Sequence, residues 1–461
     1  MTTLSRLAAG LLLAALPAAA GAQAAPHDTA APAHAMWMRP LGAGWQAMGM
    51  AQAFPAVTSA DPLGRTAALR ATQAYLTQPA AMLDVASPGQ RLVLRATVNL
   101  EAWTQPGGEL TLGGWGEGFL DRRHPHTLVH ELVATAFPWR SAAGGALWLS
   151  AGKGFAPYGT DDPMGRPVLK YPTNHHLSQL LERWTVNAGL LTRQGLSVEA
   201  GLFAGAEPDG PYDWGNARGF GDSWAARVAQ RWGGGAGPDA RWEASASLAR
   251  VAERGHDGAA ATRLANAALR HSGATRLGTV YALAEASRSW PAGEPGFASL
   301  LGEAALGLGA RARHQPYARL ELATRPEYAR QGAPGTPGFF RYDHDAGPPI
   351  GATRWRIASL GYAYAGGAGS ASARPFVELQ HHAVAAARGG VTPGALFGAA
   401  GVWSVSAGAR LYLGGGPMRM GSYGALDPMV HAMRAPHGAA AGHEGMHDGM
   451  RDDGHEGMHH P

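Results

Sequence analysis

The chain of 461 residues has no cysteine, little lysine and few charges. Without cysteine it has neither a disulfide framework nor a thiolate metal site. Lysine occurs only at Lys153 and Lys170, charged residues make up 16% of the chain, and the net charge is +4. No block of basic residues interleaved with aromatics is present, which argues against nucleic acid as a partner. Glycine is plentiful at 66 residues, and this disfavours a helical globule.

A long apolar run is also missing beyond the N-terminus. Residues 1–24 contain Arg6, an apolar stretch from Leu7 to Ala20 and two small-residue sites that fit the A-x-A cleavage rule. Because a spanning helix needs roughly 20 apolar residues, this shorter stretch predicts a secretory signal peptide. Residues 25–44 are predicted to form a disordered leader.

Alternation of apolar and polar residues is the dominant pattern, and it predicts β-strands with one apolar face. In residues 92–103, Leu94 and Val98 belong to the apolar set, whereas Arg95 and Glu101 belong to the polar set. The same division, with Arg319, Glu321 and Arg410 on polar faces, recurs in three further segments: 278–290, 316–324 and 402–413.

More strands are predicted from shorter patterns, and they follow one another through turns rich in Gly, Pro and Asp. These strands are 109–119, 145–155, 184–193, 196–205, 222–232, 241–251, 261–272, 297–312, 351–365 and 373–387, with weaker patterns at 45–54 and 74–86. The total is about 14 strands, within a range of 12–16. Since no helical pattern separates them, the sequence predicts an all-β, up-and-down antiparallel sheet.

Two architectures hold so many alternating strands: a transmembrane β-barrel, or a soluble barrel or sandwich. Strands of about ten residues match a tilted crossing of the hydrocarbon layer. Trp and Tyr near predicted strand ends match an interfacial girdle, namely Trp103, Trp184, Trp232, Trp242, Trp290, Tyr362 and Tyr412. We therefore predict a transmembrane barrel, with the soluble fold as the alternative.

Over residues 45–425 the chain resembles bacterial outer-membrane β-barrel proteins of the porin type. The resemblance implies a location in the outer membrane, contact with outer-membrane lipid and passage of small solutes, and it leaves the oligomeric state open. Such barrels commonly end on a strand whose last residue is aromatic. This sequence instead continues past Tyr412 into a tail, 426–461, which we predict to be disordered.

The tail is rich in residues that bind metal ions: His443, Met446, His447, Met450, His455, Met458, His459 and His460. Imidazole suits copper, zinc and nickel, and thioether selects cuprous ion, so copper is the first expectation. A tail of this kind resembles the Met/His-rich segments of the copper-resistance outer-membrane proteins, although in that family the segment precedes the barrel. The alternative is a polar tail with no metal role.

A second candidate segment, 121–131, contains His124, His126 and His130. On a strand, His126 and His130 would lie about 13 Å apart, too far for one ion. On a helix they would lie one turn apart, a spacing that holds a metal. The alternatives to a metal site are polar lumen lining or an ordered turn, and the absence of an H-E-x-x-H pattern disfavours a zinc protease.

A third segment, 153–183, contains Asp161, Asp162 and the pair His175 and His176. Folded into a pore, it would form a constriction or plug and would bring a cluster of His and Asp to the second segment. Ordinary loop capping explains the same residues.

The leading hypothesis is therefore an outer-membrane barrel that binds or handles metal ions, with a polar lumen for small solutes. A general porin-like channel without a metal role is the alternative. An outer-membrane hydrolase is a remote one, because the chain has no G-x-S-x-G motif, and we predict no catalytic site.

Overall fold

The computed structural model describes residues 37–434 apart from short stretches within that range. Those stretches are 67–68, 106–107, 113–125, 143, 171, 174, 209, 216, 235–239, 256–257, 277, 293–295, 310–311, 331, 333–348, 369 and 416–418. The predicted signal peptide and all metal-binding candidates of the tail lie outside the described residues.

Strands dominate the described chain, and four short helices accompany them. The strands are β1 (Trp37–Gly42), β2 (Trp45–Ala60), β3 (Ala71–Ala86), β4 (Leu92–Asn99), β5 (Val129–Arg140), β6 (Ala146–Gly154), β7 (Arg183–Leu191), β8 (Leu196–Phe203), β9 (Ser223–Trp232), β10 (Trp242–Gly255), β11 (Gly258–Thr275), β12 (Gly278–Trp290), β13 (Phe297–Leu308), β14 (His314–Glu327), β15 (Gly351–Tyr364), β16 (Gly366–Ala368), β17 (Ala371–Arg388) and β18 (Gly401–Leu413). The helices are α1 (Glu101–Thr104), α2 (His175–Ser178), α3 (Pro393–Phe397) and α4 (Pro428–Ala432). None of these helices has the length and apolarity needed to cross a bilayer.

The sheet closes on itself. From β2 to β15, consecutive strands pair antiparallel. The ring then continues from β15 to β17 and from β17 to β18. It closes where β18 pairs with β2, with Leu411 opposite Ala53. Sixteen strands therefore form the ring, and β1 and β16 are short additions to it. The predicted all-β, up-and-down barrel is confirmed, and the count lies at the upper end of the predicted range of 12–16.

β1 completes the ring where β18 stops. Its residues pair with the first part of β2, with Trp37 opposite Gly49. The Trp37 backbone N–H also donates to the carbonyl of Gly414, just past the end of β18, at 3.2 Å. The strand falls in the predicted leader 25–44, so that boundary was placed too late. Backbone pairing along β2 orders the segment, although its sequence alternates poorly.

Two other predictions differ from the structure. Residues 109–112, within the predicted strand 109–119, are not in a strand, and most of the remainder lies outside the described residues. β5 was not predicted as a strand, because register shifts at both of its ends break the alternation. The weak patterns at 45–54 and 74–86 belong to β2 and β3, which are full strands of 16 residues.

Apolar side chains point outward and charged ones inward. Leu94 is 43% exposed, whereas the neighbouring Arg95 is 4% exposed. The predicted lumen residues Arg319, Glu321 and Arg410 are likewise buried inside the ring. Glu101 is buried too, but it begins α1 instead of continuing β4.

Exposed aromatic residues mark the two ends of the barrel, as predicted for an interfacial girdle. Three of them, Trp224, Trp290 and Trp403, stand at the end that carries the long connections, and Trp139, Trp232 and Tyr362 stand at the opposite end. The prediction for Tyr412 was wrong. Its ring points inward and packs edge-on against Phe54, because residue 412 lies on the polar, inward face of β18.

The connections differ strongly between the two ends. Long ones, 100–128, 155–182, 204–222 and 328–350, share one end, whereas the other end has short turns such as 87–91, 141–145 and 192–195. Outer-membrane barrels have their short turns on the periplasmic side. We therefore refer to the short-turn end, where the chain leaves β18, as the periplasmic end.

Candidate metal centre in the lumen

The described residues of 155–182, the connection between β6 and β7, lie inside the ring and reach its far wall. We call this connection the inserted segment. The Leu169 N–H donates to Glu378 on β17 at 2.9 Å, and the Thr173 N–H donates to Glu321 on β14 at 2.6 Å. In the other direction, Arg319 on β14 donates to the carbonyl of Lys170 at 2.6 Å. Wall side chains thus bind the backbone of this segment, which narrows the lumen as the plug hypothesis predicts.

The C-terminal segment, residues 419–434, enters the lumen from the periplasmic end. Tyr423 donates its hydroxyl hydrogen to Glu131 on β5 at 2.9 Å and accepts the Phe155 N–H at 2.9 Å. Leu426, Met429 and Val430 pack in an apolar cluster inside the ring. The prediction of a free tail from residue 426 was therefore wrong for residues 426–434. These residues are ordered because an apolar stretch of the lumen wall covers them.

A β-bulge at the start of β5 creates a histidine pair. Glu131 pairs with Thr97 and Val129 pairs with Val98, so His130 is an extra residue without a partner on β4. The extra residue turns the His130 and Glu131 side chains both into the lumen, where both are 1% exposed. Bulges commonly redirect a side chain in this way beside functional sites.

His126 reaches the same place because the chain bends before β5. Residues 126–128 are outside the strand, and the Thr127 hydroxyl donates to the Val129 carbonyl at 2.9 Å. The two imidazole rings meet edge to face with centroids 5.0 Å apart. The sequence offered a strand or a helix for this segment, and the structure has a bend at residues 126–128 followed by the start of β5 at Val129.

Glu182 joins the two histidines from the other end of the inserted segment. Its Oε1 lies 2.7 Å from His130 Nδ1, 3.4 Å from His126 Nδ1 and 2.8 Å from the Thr127 nitrogen. Glu182 directly precedes β7 and has a φ of 59°, which is unusual for a residue other than glycine. The surrounding contacts hold this strained backbone in place.

One ligand atom each from His126, His130 and Glu182 lies within 4.8 Å of the others. Two imidazoles and a carboxylate form a donor set that suits zinc, copper or nickel. His130 Nε2 is buried and has no hydrogen-bond partner among the described residues, although its ring is fixed through Nδ1. Metal-binding histidines are commonly held in this way through their second nitrogen. We call these three residues the lumen centre.

The surroundings of the lumen centre add charge of both signs. Glu101 Oε2 lies 3.7 Å from His126 Nε2, and Lys153 donates to the Thr127 hydroxyl at 2.8 Å. Burial raises the pKa of the Glu182 carboxyl, but hydrogen bonds from His126 and His130 and the charge of these rings outweigh burial. The pKa of Glu182 therefore lies well below its usual range, and the carboxylate is ionised at neutral pH.

Ion pairs fill the rest of the lumen wall. Arg95 pairs with Asp84 at 2.6 Å, Arg227 with Glu199 at 2.7 Å, and Arg319 with Glu303 at 2.8 Å, all of them buried. The ring has its charges inside and its leucines and valines outside, which is the reverse of a soluble protein and suits lipid as the surrounding solvent. The protein is a transmembrane β-barrel.

No protein-family model matches the chain, and no curated protein sequence matches it. Several solved structures are similar to the barrel in fold. They include OmpT, an outer membrane protein of Vibrio cholerae, with 10% identity, 80% of this chain and 98% of that chain covered, and a TM-score of 0.45. The anion-selective porin from Comamonas acidovorans has 11% identity, coverage of 80% and 99%, and a TM-score of 0.43. The outer membrane channel DcaP of Acinetobacter baumannii has 8% identity, coverage of 81% and 98%, and a TM-score of 0.47.

The structure brings some of the predicted site residues of the barrel together and places others elsewhere. His126 and His130 come together in the lumen centre, whereas His124 lies outside the described residues. His175 and His176 begin α2 within the inserted segment. Asp161 contacts Arg419 at 3.0 Å, so it joins the two segments inside the lumen.

Sequence reasoning missed Glu182, the third residue of the lumen centre. It lies 52 positions from His130, and the pairing of both β5 and β7 with β6 brings the two residues within reach. The available signal was weak. Glu182 lies near the end of the segment 153–183 that was predicted to meet the histidines, but the sequence did not single it out as a ligand.

Proposed function

We propose that this outer-membrane barrel binds a transition-metal ion at the lumen centre and takes part in handling that metal. The observation that supports the proposal is the convergence of His126, His130 and Glu182, with the buried His130 Nε2 atom still lacking a partner. Leaving such an atom unpaired costs about 1–3 kcal/mol, and a bound ion removes that cost. Copper is the metal we propose first, with zinc or nickel as alternatives.

Methionine placement supports copper over zinc. Seven of the 14 methionines of the chain belong to one cluster at the periplasmic end of the lumen: Met38, Met48, Met50, Met82, Met420, Met429 and Met433. Thioether ligands favour cuprous ion over zinc, and the tail that follows also contains Met, together with His. The cluster also packs as an ordinary apolar core, which methionine does well.

A general channel for small solutes is the second candidate. A ring of sixteen strands is wide enough for an aqueous channel when its lumen is open. Here residues 155–182 and 419–434 both occupy the lumen, which favours a narrow path for ions or small polar solutes over a wide pore. A hydrolase has less support, since Ser247 accepts the Gly159 N–H and Ser223 donates to Asp222.

Metal binding to purified protein in detergent tests the proposal. The wild type and a form ending at Arg434 are each titrated with Cu(II), Zn(II) and Ni(II), and bound metal is counted after dialysis. We expect the shortened form to retain one site and His130→Gln to remove it. His314→Gln is the matched control, since that ring is exposed and bonds Tyr362. A shortened form that binds no metal would contradict the proposal.

A further inference from the structure

Two arginines converge on one neutral amide at the periplasmic end of the lumen. Gln90, in the turn between β3 and β4, accepts at its Oε1 from Arg140 Nη1 at 3.1 Å and from Arg434 Nε at 2.9 Å. Arg140 ends β5, and Arg434 is the last described residue of the C-terminal segment. Neither guanidinium forms an ion pair with a carboxylate of the described residues.

Arg140 holds its guanidinium in a fixed plane with one edge unused. Its Cζ lies 3.3 Å from the centroid of the Phe137 ring, and its Nη1 is bound to Gln90. The remaining edge, formed by Nε and Nη2, is buried and has no hydrogen-bond partner among the described residues. That edge presents two parallel N–H groups, the arrangement that binds a carboxylate or phosphate bidentately.

Other arginines of the lumen use the same edge to bind an acid. Arg95 places Nε at 2.8 Å and Nη2 at 2.6 Å from the two oxygens of Asp84. Arg419 binds Asp161 through the same pair of atoms, at 3.0 and 3.2 Å. Arg140 has the same chemistry and lacks the acid.

We propose that Arg140, together with Arg434, forms a binding site for one oxyanion of the carboxylate or phosphate type at the periplasmic end. The oxyanion accepts from Nε and Nη2 of Arg140 and neutralises both guanidinium charges. Because the edge is buried, the anion enters as the exposed Arg434 side chain rearranges.

An oxyanion of this type comes from one of two sources. A free periplasmic anion is one source. The tail of this chain is the other, since it carries Glu444, Asp448, Asp452, Asp453 and Glu456. Glu444 lies ten positions after Arg434, a span of at most about 36 Å when extended, which is enough to fold back to the site.

Calorimetric titration of the full chain in detergent at low salt tests the site, with inorganic phosphate as the probe. We expect saturable binding that Arg140→Gln and Arg434→Gln each weaken about tenfold or more. Arg193→Gln is the matched control, because this exposed arginine lies in another turn at the same end. The unfolding temperature of each variant shows that the barrel is intact, and Arg434→Gln replaces an exposed residue.

A second protein, in which the five acidic residues of the tail are changed to amides, distinguishes between the two sources. If phosphate binds only to this protein, and Arg140→Gln removes that binding, the tail occupies the site in the wild type and the proposal holds. If phosphate binds to neither protein, or Arg193→Gln weakens binding as much as Arg140→Gln, the proposal is wrong. Metal binding at His130 is measured separately, so its outcome is independent.

Discussion

Asp427 Oδ2 lies 2.7 Å from Arg95 Nη2, so a residue of the C-terminal segment completes a buried ion pair on the wall of β4. Arg95 already binds Asp84, and the three side chains form one buried group between wall and segment. The Asp427 side chain also caps α4 by accepting the Met429 N–H at 2.9 Å. The C-terminal segment is therefore part of the folded lumen at its periplasmic end.

Removal of this segment should open the lumen. A chain that stops at Gly415 lacks residues 419–434 and therefore lacks one of the two obstructions inside the ring. We expect a larger single-channel conductance in planar bilayers than for the full chain. A chain that stops at Arg434 is the control and should conduct like the full chain. Equal conductance of all three proteins would show that the inserted segment 155–182 alone limits passage.

Glu182→Gln should destabilise the barrel at neutral pH by about 1–3 kcal/mol, because the variant loses a carboxylate that accepts from His130 and Thr127. The folded-state pKa of Glu182 is depressed, so this stabilisation is complete above the unfolded pKa of about 4.3. It falls as the pH drops below that value and disappears below the folded pKa.

Denaturant unfolding of wild type and Glu182→Gln at several pH values measures this effect. The two curves should differ by a constant amount above about pH 5 and approach each other in more acidic solution. A difference that grows as the pH falls would contradict the assignment of Glu182 as a stabilising carboxylate.

Gly154→Ala should loosen the C-terminal segment. A Cβ at this position would lie 2.0 Å from the Tyr423 hydroxyl and 2.8 Å from a methyl group of Val133. Tyr423 must then move and lose its bonds to Phe155 and Glu131, at a cost of about 1–3 kcal/mol. Faster proteolysis within residues 419–434 reports the change. Gly210→Ala is the control, since nothing lies within 4 Å of a Cβ there.

Copper should stabilise the folded barrel if the lumen centre binds it. At a free concentration of 100 times Kd the free energy of unfolding should rise by about 2.7 kcal/mol, because the ion binds the folded state alone. Chelation should reverse the gain, and His126→Gln should prevent it. The form that ends at Arg434 is used for this measurement, so that the tail contributes no binding. An equal gain in the His126→Gln variant would contradict the assignment.

The class of fold follows from local patterns in the amino-acid sequence. Alternation along β4, β14 and β18 is a local property, since successive side chains of a strand point to opposite faces whatever the strand pairs with. Leu94 outside and Arg95 inside could therefore be predicted from their neighbours in the chain. An apolar outer face, a polar inner face and aromatic ends were enough to predict a barrel in lipid.

The contents of the lumen depend on contacts that form only in the folded barrel. The bulge at His130 depends on the register between β4 and β5, and Glu182 reaches His130 because β5 and β7 both pair with β6. Residues 426–434 are too short a stretch to predict order on their own, yet Leu426, Met429 and Val430 are buried in a cluster with Trp148 and Phe137 of the wall. These contacts join residues far apart in the chain, and no local pattern encodes the closure of the sheet that brings them together.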